Sequence, residues 1–496
     1  MLSDSQTAAL RKAFLAAGYC VDDVVAAIGE EAHRALGRNQ TVPAVRALGD
    51  RDDALATLTA LWPLQRRVSR STLERALPSL VPALLDAGVL AGDGDSIRAE
   101  VDIRPYDSVG QDPLWIVSDL TPGLDTRISP IRPDFVLGVS SASSSLAQLT
   151  VRRPVSRALD LGTGCGVQSM HLARHAKTII GTDLNPRALT LAALTAKING
   201  VAVDLRPGSL FDPVAGELFD LIITNPPYVM SPPTSDADRL VYREGDWPAD
   251  GLVEQVVRRG ADHLADDGIL QVLGNWAHPR DGNWQSRLQG WISPTGCDAH
   301  VVQRETLDPA AYVELWLADA GLAGSPHYDA RFHAWLDYLA ALGIEAVGMG
   351  WITLHRAGRQ APVVELEDWP YGIEQPIGPA IDARLAAVDL EQQLGNDELL
   401  NRHWVRADDI GEESFGTPGA SDPQHIVLRQ QRGFRRAVAA DTTLAAVVGT
   451  CDGELRLGQI IDATAGLLAV DPTELTAELL PRVRELVVDG FLGLED

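Results

Sequence analysis

The chain has 496 residues, of which 45% are hydrophobic and 22% charged, and a formal net charge of -26. A chain this long needs more than one core, so two to four domains are expected, and no apolar run is long enough to span a membrane. More than half of the acidic excess lies beyond residue 360 and no basic face stands out, which argues against a protein that grips long nucleic acid.

Met1 to Ser5 carry no basic segment leading into an apolar core, so no secretory signal is expected. Cys20, Cys165, Cys297 and Cys451 are far apart and contain no CxxC, which speaks against a zinc site or a disulfide framework. A reducing, cytoplasmic setting fits that usage.

The first hundred residues read as helices. Thr7 to Ala17, Val21 to Leu36 and Asp53 to Leu61 show helical spacing, and short helical stretches follow at Ser71 to Leu77 and Ser79 to Ala87. Val89 to Ala91, a turn at Gly92 to Asp95, and Ile97 to Ile103 then suggest a hairpin. Residues 1–105 are therefore expected to form a helical, winged-helix-like domain. The would-be recognition helix, Ser79 to Asp86, has no arginine, lysine, asparagine or glutamine to read base edges. A packing or protein-docking module is the better reading.

Residues 106–360 are expected to form an α/β domain, with a helical insert at about 305–345. A linking segment leads to Phe135 to Val139 and the serine-rich Ser140 to Ser145, which suits a loop or a flank of a cofactor site. From Arg157 onward, strands at Ala158 to Leu161, Thr178 to Thr182, Val203 to Arg206, Leu218 to Thr224 and Ile269 to Leu273 alternate with helices. A last strand is expected at Val347 to His355, and the alternation implies a doubly wound, Rossmann-like sheet. Pro362 to Pro379 reads as a linker or extended arm. Residues 361–496 read as an acidic, mainly helical domain whose close, Pro472 to Leu492, echoes Leu77 to Leu90.

Three motifs carry the chemistry. Asp160-Leu161-Gly162-Thr163-Gly164-Cys165-Gly166 ends a strand and opens a helix, and glycines there let the backbone turn sharply beside a ligand. Asp183, in Thr182-Asp183-Leu184-Asn185-Pro186, stands about twenty positions further on, where a carboxylate holds a ribose diol. Asn185 is better placed than Asp183 to cap the next helix. These two motifs suit NAD as well as S-adenosylmethionine.

The third motif, Asn225-Pro226-Pro227-Tyr228, decides between them. An amide or adenine amine is a poor nucleophile because its lone pair is delocalised. The Asn225 side-chain oxygen and the Pro226 carbonyl would each accept one N–H bond and so favour lone-pair character on nitrogen. The prolines stiffen the loop, and Tyr228 offers a flat face for stacking.

In this order, DLGTGCG, TDLNP and NPPY resemble the N5-glutamine and N6-adenine methyltransferases, and the stretch Asn225 to Pro233 with Asp250-Gly251-Leu252 resembles the HemK-type branch. The resemblance covers about residues 130–275. It implies a class I methyltransferase core with a seven-stranded, mostly parallel sheet, and S-adenosylmethionine as cofactor. It also implies that Asp160, Gly162, Thr163, Gly164 and Gly166 flank the methionine part, with Asp183 and Leu184 at the ribose. Ser209 and Leu210 would lie along the adenine, with a serine where many relatives have aspartate, and Asn225 would adjoin the reacting centre. Asn225, Pro226, Pro227 and Tyr228 would carry catalysis. The acceptor implied is a glutamine of a translation or ribosomal protein; an adenine in RNA or DNA is the alternative, and a non-catalytic binding module is a third reading.

Other residues carry less weight. His171 and His175 lack a third ligand, so no metal site is expected. Arg243 and Glu244 suit either a substrate border or a solvated pair. Trp276, Trp284 and Trp291 suit either a groove or packing on the sheet.

Overall fold

The computed structural model describes residues 2–107, 113–126, 131–233, 247–322, 324–418 and 423–494. Its centre is an eight-stranded sheet. The strands are β1 (Val155–Leu161), β2 (Ala176–Asp183), β3 (Asp204–Pro207), β4 (Phe219–Thr224), β5 (Leu264–Pro279), β6 (Asp298–Leu307), β7 (Ile344–His355) and β8 (Val364–Asp368). They lie in the order β8-β6-β7-β5-β4-β1-β2-β3. Only β7 runs antiparallel, paired with β5 on one side and β6 on the other. This is a Rossmann-like, mostly parallel sheet of the kind the alternation of strands and helices implies, with eight strands where seven were expected.

The order reverses between β1 and β4, where ligands bind in open α/β sheets. Beside the strands lie α1 (Val167–Leu172), α2 (Pro186–Asn199), α3 (Gly251–Ala261), α4 (Trp284–Ile292), α5 (Pro309–Asp319) and α6 (Tyr328–Ala341). Two strands were not anticipated. On β6, His300, Asp298 and Gln303 are buried and interrupt the apolar pattern. Each has a partner: Glu367 for His300, Arg359 for Asp298, and the Trp276 indole N–H for Gln303. β8 lies inside the segment expected to be a linker, and it pairs in parallel with β6.

The chain divides into one unit of residues 1–147 and 154–369 and a second of 148–153 and 370–496. The N-terminal helices join the first unit because they share a core with α2, in which Leu10, Phe14, Trp62 and Trp115 pack with Leu191, Leu194 and Ile198. The strand Leu114–Ser118 has an unpaired edge, and α2 supplies partners for it. Asn199 accepts from the Trp115 amide (3.0 Å) and donates to its carbonyl (2.7 Å), and Thr195 accepts from the Val117 amide (3.0 Å). A buried strand edge needs such partners.

Near the N-terminus the long helix expected over Val21 to Leu36 breaks at Gly29, and a further helix, Val42–Leu48, follows. A strand (Val68–Ser69), two helices (Arg70–Ala76, Val81–Asp86) and a hairpin (Leu90–Asp93, Ser96–Ala99) then give the winged-helix-like pattern. The second unit is richest in helix. It also holds two small three-stranded sheets that the sequence pattern did not place. Its run of strand Asp452–Arg456, helices Leu457–Leu468 and Pro472–Val488, and strand Leu492–Gly493 repeats the strand-helix-helix-strand order seen from residue 68.

Candidate active site

A cavity lies at the carboxyl ends of β1, β2 and β4, lined by all three motifs. The glycine turn rests against β2, with the Gly162 and Thr163 amides both donating to the Thr182 carbonyl (2.9 Å each). Gly166 has φ 82°, and a Cβ there would sit 3.3 Å from Ala192 of α2, so this position needs glycine for both its conformation and its packing.

Asp160 lies in the buried stretch at the end of β1 and is 2% exposed. Its Oδ2 accepts from the Thr163 hydroxyl (2.6 Å), the Ser169 amide (3.0 Å) and the Ser169 hydroxyl (2.7 Å). Burial nevertheless raises its pKa to about 6. Asp183 accepts one amide on each oxygen, from Gly164 (2.9 Å) and Asn185 (2.8 Å), and burial raises its pKa too. A carboxylate has about four acceptor sites, so each oxygen keeps capacity for a ligand hydroxyl. Asn185 caps α2 through the Arg187 amide. Leu184, 56% exposed, lines the cavity together with Ser209 and Leu210.

Two carboxylates line this cavity, and no arginine, lysine or histidine is among the described lining residues. That balance suits a cationic ligand and disfavours the two negative charges of a dinucleotide pyrophosphate. Cys165 also lines the cavity, but burial pushes its thiol up to about 11, so it is not a thiolate nucleophile at neutral pH.

After β4, Asn225, Pro226 and Pro227 line the same cavity. The Asn225 Oδ1 is buried and has no hydrogen-bond partner. Tyr228 is not among the lining residues; its ring meets Trp316 of α5 edge-on at 6.0 Å. Burial, with Asp319 nearby, pushes its phenol up to about 12, which rules it out as a base. The aromatic residues among the described lining residues are Phe135 and Trp247, and no motif had marked Trp247.

Several contributors come from segments distant in sequence. Phe135, Val136 and Leu137 form one wall. Asp119 holds that wall by accepting the Val136 amide (2.8 Å) and pairing with Arg187 at the start of α2 (3.0 Å). The serine stretch is not a loop but opens the helix Ser141–Leu149, and Ser140 and Ser143 line the cavity.

The lesser candidates also find places. His171 is buried and bonds to the Tyr106 hydroxyl (2.9 Å), while His175 lies beyond α1. Trp276, Trp284 and Trp291 are buried packing residues, the first two stacked at 5.8 Å. Arg287 stacks on Trp291 and ties α4 to the buried Asp250. Arg243 and Glu244 lie outside the described residues.

Residues 138–282 match the family described as "Methyltransferase small domain", and residues 16–100 match a "Domain of unknown function". The chain is similar to the ribosomal protein uL3 glutamine methyltransferase of Xanthomonas campestris, with 38% identity over 128 residues, 24% of this chain and 41% of the relative. It is also similar to release factor glutamine methyltransferases. With that of Geobacter sulfurreducens it is 41% identical over 160 residues, 29% of this chain and 52% of the relative. With that of Aliivibrio fischeri it is 41% identical over 130 residues, 23% of this chain and 44% of the relative. The chain spans about half the length of the curated relatives it matches. The HemK-like resemblance read from the three motifs is borne out over this stretch.

Proposed function

We propose that this chain is an S-adenosylmethionine-dependent N-methyltransferase whose acceptor is a glutamine side-chain amide of a protein of the translation machinery. The observation that carries the reading is the Asn225 Oδ1, a buried acceptor without a partner on a cavity that also holds Asp160 and Asp183. Such an oxygen is costly to bury unless a ligand completes it.

The lining residues fit the cofactor: Asp183 for the ribose hydroxyls with Leu184 beside it, Ser209 and Leu210 for the adenine, and the Asp160–Gly166 turn for the methionine part. Bound there, S-adenosylmethionine would supply an electrophilic methyl group on a sulfonium. The chain's own work is then positioning. Asn225 Oδ1 and the Pro226 carbonyl each accept an N–H of the acceptor amide, which draws its lone pair out of conjugation and fixes its direction. Pro226 and Pro227 hold those acceptors still. The methylated nitrogen releases one N–H proton to solvent, so no ionised base is required at this loop, in keeping with a Tyr228 phenol that stays protonated.

A glutamine acceptor is supported by relatives named for glutamine methylation and by the absence of basic residues among the described residues lining the cavity. Incubating purified protein with methyl-labelled cofactor and lysate of a strain lacking it tests the reading. Label that is lost to protease and survives nuclease is expected. Label lost to nuclease alone would instead identify an adenine acceptor.

A further inference from the structure

A second buried acceptor without a partner lines the same cavity. Gln168 of α1 is 5% exposed, and its Oε1 has no hydrogen-bond partner. The amide cannot simply turn over to relieve this, because its Nε2 donates to the Ser143 carbonyl at 2.7 Å. That carbonyl is itself held in place, since Ser140 and Ser143 cap one another's amides at the start of the helix Ser141–Leu149. Gln168 directly precedes Ser169, whose amide and hydroxyl bind Asp160. Asp160 at the end of β1 and Gln168 on the helix after the glycine turn thus line one cavity, while Asp183 and Leu184 belong to the end of β2.

We propose that the Gln168 Oε1 is a binding residue for the α-ammonium group of the cofactor's amino-acid end; this rests on the cofactor reading above. An ammonium has three N–H donors and no acceptor, so a fixed amide oxygen on a cavity that also holds a buried carboxylate is matched to it. The adenosine end offers hydroxyls and ring nitrogens, for which Asp183 and the β3 turn are placed. Gln168 thereby distinguishes ligands that carry the amino acid from those that keep only the nucleoside.

The test compares two ligands by calorimetry, S-adenosylhomocysteine and 5′-methylthioadenosine, which lacks the amino-acid end. Gln168→Leu is expected to weaken S-adenosylhomocysteine about tenfold, the range of a bond to a charged group, and to leave methylthioadenosine unchanged. Unchanged methylthioadenosine binding also shows that the cavity is folded, and Gln168→Met repeats the comparison should leucine pack badly. Equal weakening of both ligands, or of neither, would overturn the assignment of Gln168 and leave the cofactor reading intact. A wild-type chain that binds neither ligand would overturn both.

Discussion

A buried amide oxygen left unpaired costs a fold about 1–3 kcal/mol, and at Asn225 that cost is kept on the wall of a cavity. If the oxygen serves the acceptor nitrogen, Asn225→Ala should lower turnover by about two to three orders of magnitude, as loss of one well-placed acceptor or donor does. Cofactor affinity should stay near wild type. Single-turnover kinetics with parallel calorimetry separate the two effects, and unchanged turnover would show that the loop has another role. Asp160 gives a second residue-level prediction. Burial holds its folded pKa near 6, above the unfolded value. Below about pH 3.9 both states carry the proton and this one group costs the fold nothing. As pH rises toward 6 the unfolded chain ionises first, so stability falls, by on the order of 3 kcal/mol once pH exceeds the folded value. Asp160→Asn keeps an acceptor oxygen and removes the titration, so its unfolding free energy should change less over this range. Denaturant melts across the interval check this; parallel pH profiles for both proteins would contradict it.

At the scale of elements, the turn between β1 and α1 depends on a backbone that only glycine adopts readily. Gly166→Ala adds a methyl 3.3 Å from Ala192 at φ 82°. It should cost about 1–3 kcal/mol and lower the melting temperature and cofactor affinity together. An unchanged melting temperature would mean that α2 yields freely. This turn was legible in the sequence, as were β1, β2, β4 and α2, because their signals are local: glycines at a strand end, an asparagine cap, a proline pair. Asp119, Arg187, Gln168 and Trp247 were not, since each acquires its role from a partner or a cavity assembled from distant segments. Strand β6 was hidden for a related reason. Its buried polar residues break the apolar alternation, and their partners Glu367, Arg359 and Trp276 are unknown until the sheet is assembled.

At the scale of the whole chain, the N-terminal helices share a core with α2. Thr195 and Asn199 look like ordinary polar helix residues in the sequence, yet they complete the edge of the strand Leu114–Ser118. A chain starting at residue 106 would uncover Leu191, Leu194 and Ile198 and is expected to be recovered insoluble. Soluble recovery with cofactor binding would contradict the shared core. The proposed reaction places the methyl group on an amide nitrogen of a protein, and the chemistry of the product distinguishes that from any other acceptor. Labelled protein product should release labelled methylamine on acid hydrolysis, because the N-methyl amide bond is cleaved. Label recovered instead as a methylated adenine, or retained on another amino acid, would contradict it.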